Sequence, residues 1–251
     1  MRRLFIAIAA IGALGVMGPA TATTADVIAG PNVHVLDGAD VTTSTVRARV
    51  AWSTDATEIC AQKFQVRKNT GPWRGLAVGP TTPPSSYRNY RFAYDATYRF
   101  RVMVAEPGPN GCTFDPFTWT TSNAAIFTLA QEPSETFQFA GTWNRVAADG
   151  ALGGSVYTSS DPVYAAVGYF DQVLWVTNRG PNRTRAALNH YNGTTLIRRT
   201  IDLFAPTYQP LVTFAQHDQD GDGPIWFEGL ATDGRPRIDV DAVVGLRHRH
   251  R

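Results

Sequence analysis

Lysine is nearly missing from this chain. Lys63 and Lys68 stand against 21 arginines in 251 residues. With the many alanines and glycines, that imbalance reads as a coding bias toward GC-rich codons and carries no functional signal. Cysteine is equally sparse, with Cys60 and Cys112 alone, and no histidine stands beside either to suggest a metal-binding pair. Helical periodicity is almost absent. The histidines are His34, His190, His217, His248 and His250, and only the last two have a spacing that ligands of one metal could share. Gly-x-Ser-x-Gly and His-Glu-x-x-His do not occur, which removes the most recognisable hydrolase signatures. Beyond Met17 no apolar run is long enough to cross a bilayer, which takes roughly 20 residues. The formal charge of +2 is carried by the ends: Arg2 and Arg3 open the chain, and Arg247, Arg249 and Arg251 close it. Without them 18 basic side chains face 21 acidic ones. No basic face for nucleic acid is implied.

What is present begins with a basic start, an apolar run from Leu4 to Met17 and the small-x-small site Ala20-Thr21-Ala22. These are the three parts of a secretory signal peptide, so residues 1–22 are expected to be removed on export. Arg2-Arg3-Leu4-Phe5 resembles a twin-arginine signal, and the general secretory route remains the other option. The mature chain is expected outside the cell or on its surface, with no membrane span. In an oxidising compartment an even pair of cysteines points to a disulfide between Cys60 and Cys112. Closing a loop of that size adds about 4 kcal/mol in the chain-entropy model.

Alternation with period two runs through both halves. Val46, Ala48, Val50 and Trp52 share one face, with Arg47 and Arg49 on the other. Tyr98, Phe100, Val102 and Val104 repeat the pattern against Arg99 and Arg101. Gly- and Pro-rich breaks at 79–86 and 107–111 separate short strands, which predicts an antiparallel sandwich. On Val50-Ala51-Trp52-Ser53, Cys60 to Arg67 with Gly71-Pro72-Trp73, and Thr97 to Val102, the 23–130 segment resembles a fibronectin type III domain. The resemblance makes Tyr98 a corner tyrosine bonded back to nearby backbone. It also puts both cysteines at one end of the sandwich.

Residues 131–136, with Pro133, read as a linker. The 137–246 segment carries Gly141-Thr142-Trp143-Asn144-Arg145, Gly153-Gly154-Ser155, Gly180-Pro181, the hairpin turn Asn192-Gly193, Ile201-Asp202-Leu203 and Val240-Asp241-Ala242. In this order they resemble a galactose-binding-like jelly roll, a carbohydrate-binding-module-like domain of secreted bacterial proteins. The resemblance implies a non-catalytic module that binds sugars or surfaces. Residues 247–251 read as a basic tail.

Two local features are candidate sites. Asp218-Gln219-Asp220-Gly221-Asp222-Gly223 has the alternating carboxylates and sharp glycine turn of the first half of a calcium loop. The second half departs, because position twelve is Gly229 and Glu228 comes one residue early. Asp218, Asp220 and Asp222 are therefore either calcium ligands or a solvated acidic turn, and no cofactor is required. Trp226 shares strand parity with Glu228 and opposes Ile225 and Phe227, which turns it outward beside that loop. Tyr191, next to the Asn192-Gly193 turn, is the second candidate for a ligand contact. Trp52, Trp143 and Trp175 read as core.

The expectation is an exported, all-β protein of two antiparallel sandwiches, without catalytic residues. Its jelly roll would recognise a carbohydrate or cell-wall component. The alternatives are a structural module that contacts another extracellular protein, and an unrecognised hydrolase. The mature protein is expected to begin at Thr23. Amino-terminal sequencing of the exported chain checks this, and an intact Met1 in the membrane fraction is the opposite result.

Overall fold

The structure, a computed structural model, describes residues 29–249 apart from 56–57, 77–80, 83–84, 109–110, 113–118, 132, 134–136, 162–163, 218–223 and 231–233. Among these residues the chain is β-strand, turn and one short 3-10 turn at Leu152–Gly154, with no α-helix. The all-β, antiparallel reading therefore holds. Among the described residues no helix is long and apolar enough to cross a membrane.

The first half supplies β1 (Ala29–His34), β2 (Thr45–Ser53), β3 (Ala61–Lys68), β4 (Arg74–Leu76), β5 (Thr81–Thr82), β6 (Ser85–Ala93) and β7 (Thr97–Ala105). A small hairpin of β8 (Pro107–Gly108) and β9 (Gly111–Cys112) follows, then β10 (Thr120–Thr121) and β11 (Ala124–Ala130). One sheet runs β1-β2-β6-β5, and β4-β3-β7-β11 forms part of another. The alternation explains the packing. Val46, Ala48, Val50 and Trp52 of β2 are buried, while Arg47 and Arg49 point away. Trp52 stacks on Phe64 at 4.8 Å, Phe64 on Phe100 at 5.6 Å, and Phe92 meets Phe127 at 4.7 Å. The Tyr98 hydroxyl accepts a hydrogen bond from the Ala93 backbone N–H at 3.0 Å, five residues upstream. Cys60 and Cys112 are bonded, joining the start of β3 to the hairpin after β7.

The second half contains β12 (Phe137–Phe139), β13 (Asn144–Ala147), β14 (Ser155–Ser159), β15 (Tyr164–Tyr169), β16 (Gln172–Arg179) and β17 (Arg185–Asn192). It ends with β18 (Thr195–Asp202), β19 (Gln209–His217), β20 (Pro224–Gly229), β21 (Ile238–Val240) and β22 (Ala242–Arg249). A five-stranded sheet runs β12-β15-β20-β17-β18, and β13-β14-β21 form a small one. The residues read as a linker lie largely outside the described residues.

The halves share a sheet. β22 pairs along its whole length with β11, from Ala124↔Arg249 to Ala130↔Val243, and on its other edge with β16. The order β19-β16-β22-β11-β7-β3-β4 is thus one sheet drawn from both segments. β16 and β22 are buried on both faces, which is why Val173-Leu174-Trp175-Val176 and Ala242-Val243-Val244 are continuous apolar runs instead of alternating ones. Leu174, Val176, Val244 and Leu246 join the core of the first half. Val173, Trp175 and Val243 join the core of the second, where Trp175 stacks on Phe227 at 4.8 Å. Arg247–Arg249, read as tail, belong to the paired strand. Arg247 lies over the Phe170 ring at 4.4 Å and donates to the Tyr169 carbonyl at 2.9 Å.

The segment after β1 is tied to the second half by polar contacts. The buried Gln172 amide accepts from Val35 N–H at 2.9 Å and donates to the Val33 carbonyl at 3.0 Å, acting as a strand partner for β1.

Gly245 of β22 is required by close approach. A Cβ there would lie 2.2 Å from Cε1 of the buried Phe170 ring. Gly245→Val is expected to destabilise the protein by about 1–3 kcal/mol, the usual cost of overpacking. A lower midpoint in thermal or urea unfolding checks this, and unchanged stability would contradict the contact.

Candidate functional site

The hairpin β17–β18 turns at Gly193, whose φ of 56° is the left-handed conformation that glycine adopts at no steric cost. That turn sets the register Asn192↔Thr195, Tyr191↔Leu196, Asn189↔Arg198 and Ala187↔Thr200. On the other side, β17 pairs with β20 as Asn189↔Trp226 and Ala187↔Glu228. Since residues of one parity share a face, the outer face of the five-stranded sheet carries Trp226, Glu228, Asn189, Tyr191 and Arg198. The inner face carries the buried Ile225, Phe227, Ala186 and Leu188.

The two aromatic candidates from the sequence meet there. The rings of Tyr191 and Trp226 are 5.5 Å apart and inclined by 39°. Trp226 is half-buried and Tyr191 is 45% exposed. Sequence reasoning missed the polar members of this face. Arg198 forms an ion pair with Glu228 across the β17 strand between them. Asn189, at 1% exposure, lies between Trp226 and Arg198, and its Oδ1 has no hydrogen-bond partner. Its Nδ2 donates only a long bond, 3.4 Å, to the Ala187 carbonyl. The two-residue loop at Gly193-Thr194 places Arg198 opposite Asn189, whereas the Asn192-Gly193 turn read from the sequence would have put Leu196 there.

Asp218, Asp220 and Asp222 lie outside the described residues, on the connection from His217 to Pro224. Among the described residues no group of three or more histidine, cysteine or acidic side chains could hold a metal.

A second polar cluster sits where β21 passes to β22. Asp239 is fully buried and accepts from both Arg183 and Arg237, each Nε at 2.8 Å. Two guanidinium groups on one carboxylate satisfy a buried charge that alone would be costly. Asp241, 1% exposed, accepts from the Leu152 backbone N–H at 3.1 Å, and its other oxygen has no partner. Burial pushes the Asp241 carboxyl up to about 7, overriding that hydrogen bond, and the charge of Asp239 adds to the rise. A carboxyl with a raised pKa near a second carboxyl is a pattern of acid–base chemistry. Neither is exposed enough for substrate to touch it, so we read the pair as structural.

No protein-family model matches the chain, and no curated protein matches it. Among solved structures it is similar to a xanthan lyase from Paenibacillus at 12% identity and a TM-score of 0.37, over 92% of this chain and 25% of the lyase. It is also similar to an exo-β-1,3-galactanase from Phanerochaete chrysosporium, solved with galactose, at 12% identity and a TM-score of 0.31. That match covers 83% of this chain and 56% of the galactanase. The chain therefore spans a quarter of one protein and little more than half of the other. Likeness at these TM-scores carries no argument about function.

The buried acid makes stability depend on pH. The folded protein holds the Asp241 proton up to about 7, whereas the unfolded chain releases it near pH 4. Stability from this group is therefore whole below about pH 4 and is lost as pH rises through about 7. Asp241→Asn keeps an acceptor for Leu152 and cannot ionise. It is expected to melt higher than the native protein at pH 8 and at the same temperature near pH 4. Calorimetry at both pH values checks this, and an equal offset at both would refute it.

Proposed function

We propose that the protein is an exported, non-catalytic binding protein that holds a carbohydrate or cell-wall glycan on the outer face of its five-stranded sheet. The observation that carries this is the inclined Trp226–Tyr191 pair beside the Arg198–Glu228 ion pair. Aromatic faces are electron-rich, so they attract the C–H-lined faces of sugar rings. The Arg198–Glu228 pair can read hydroxyls at the ring's edge. Arg198 and Glu228 neutralise each other, which favours a neutral glycan over a strongly anionic one.

The strand orders β1-β2-β6 and β4-β3-β7-β11, with the Tyr98 back-bond, support a fibronectin type III-like first half. The five-stranded sheet packed on β19-β16-β22 supports a jelly-roll-like second half. The disulfide is consistent with an extracellular or cell-surface setting. Asp218, Asp220 and Asp222, the candidate calcium ligands, lie outside the described residues.

A protein-contact reading has its own support. Leu196, Phe204, Tyr208 and Leu211 are exposed apolar side chains within one stretch of chain. Exposed apolar patches are marks of protein interfaces.

A glycan array probed with the full chain, followed by calorimetric titration, tests the main reading. Trp226→Ala is expected to weaken the best glycan at least about tenfold, or about 1.4 kcal/mol, while the circular dichroism spectrum is kept. Tyr191→Ala should cost less. A folded Trp226→Ala variant with unchanged affinity removes this face as the site, and an array without hits favours the protein-contact reading. A melting temperature that rises with calcium supports the metal, since a ligand of the native state stabilises it by mass action.

A further inference from the structure

The inner end of β17 borders a cleft of about 760 Å³ that the sheet-face reading does not use. This lies within the roughly 300–1,000 Å³ of small-ligand sites. One wall is Val35–Asp37 from the first half, and the other is formed by β17, β18 and β19 of the second. The cleft exists only because the two halves are joined.

Its charged groups are already occupied. Arg199 grips both Asp37 oxygens and donates to the Ala215 carbonyl at 2.8 Å, and Asp37 accepts from the Ala215 N–H at 2.7 Å. Burial alone would push the Asp37 carboxyl up, but Arg199 and that N–H hold it below its usual value. The Gln216 amide donates to His190 Nδ1 at 2.5 Å, leaving its oxygen as an acceptor. His217 is kept neutral chiefly by burial. Its Nε2 is 3.1 Å from the Val35 carbonyl, so Nε2 carries the proton and Nδ1 is an acceptor. Asn192 adds an exposed amide. What the cleft offers a ligand is uncharged donors and acceptors, beside the apolar Val35, Leu36, Ile197 and Ala215.

We propose that this cleft is a second binding site, which takes the end of a neutral saccharide. An ionic ligand would have to break the Asp37–Arg199 pair. An extended peptide would need a free strand edge; along the cleft the edge of β19 is taken, and only β18 ends its sheet there. The Thr213 carbonyl accepts from Gly38 N–H at 3.0 Å, and both backbone groups of Ala215 are bonded as above. A compact, neutral polyol with apolar C–H faces matches what remains. The site rests on its own lining and stands or falls independently of the Trp226 face, which lies on the opposite side of β17.

The test is nuclear magnetic resonance of the full chain titrated with cellobiose, maltose and lactose, read at the His217 ring protons and the Asn192 amide. At least one disaccharide is expected to shift both. Asn192→Ala and Ile197→Trp, which trims and fills the cleft at exposed positions, should each weaken that disaccharide about tenfold or more. Trp226→Ala should leave it unchanged. The proposal is overturned if no disaccharide moves the His217 resonances, or if the shifts survive Ile197→Trp. It is also overturned if triglycine moves them and the disaccharides do not. Loss in Trp226→Ala with retention in both cleft variants would assign all binding to the sheet face.

Discussion

Everything in this molecule hangs on the pairing of β22. It is the last of the described strands, and it lies between β11 of the first half and β16 of the second, hydrogen-bonded to both. From Ala242 to Leu246 it is also buried on both faces. Its odd and even side chains must enter two different cores, and they do: Val243 on one side, Val244 and Leu246 on the other. Covering both edges of β22 also removes the exposed strand edges that β11 and β16 would otherwise present. The cost is crowding, visible at Gly245, where the Phe170 ring takes the space of a side chain.

The shared sheet determines where polar groups must be satisfied. Gln172 stands where the first-half strand β1 meets the second half, and its amide supplies the bonds a backbone would have made. Asp37 and Arg199 do the same for the outer edge of β19. His34 and His217 stack across this seam at 6.1 Å, and desolvation by burial is the main reason both rings stay neutral. Each device answers one constraint: a buried donor or acceptor left unpaired costs more than a typical hydrogen bond contributes. The orphaned Asn189 Oδ1 therefore stands out, because it is buried on a face whose other members point to solvent.

That outer face follows from the other layer. Ile225 and Phe227 are drawn inward against Trp175, which leaves Trp226 and Glu228 no choice but the opposite side. A rigid sheet holds Trp226, Asn189 and Arg198 in one row by backbone pairing alone. A site built on strands keeps its geometry better than one built on loops. The cleft on the inner side of β17 is different in kind, since one of its walls comes from a distant part of the chain.

The division between what sequence and fold decide is clear in particular residues. Alternation in β2, β7 and β20 was enough to separate buried from exposed side chains, because period two is a local property of the pleat. Trp226 could be turned outward, Tyr98 given its back-bond and Cys60 joined to Cys112 without any coordinates. The Asn192-Gly193 turn marked the hairpin but not its register: with those two residues as the loop Asn189 would face Leu196, whereas the chain turns at Gly193-Thr194 and brings Arg198 there. The sequence also held a hint of the shared sheet, in the unbroken apolar runs at Val173–Val176 and Ala242–Val244. It could not say what covered the second face, since pairing partners such as Ala124 and Arg249 are separated by about half of the chain. For the same reason Arg247–Arg249 looked like a tail, because a basic end reveals nothing of a strand waiting beside it. The cleft between Asp37 and Arg199 was beyond reach, because it is created by long-range pairing and no local pattern records that.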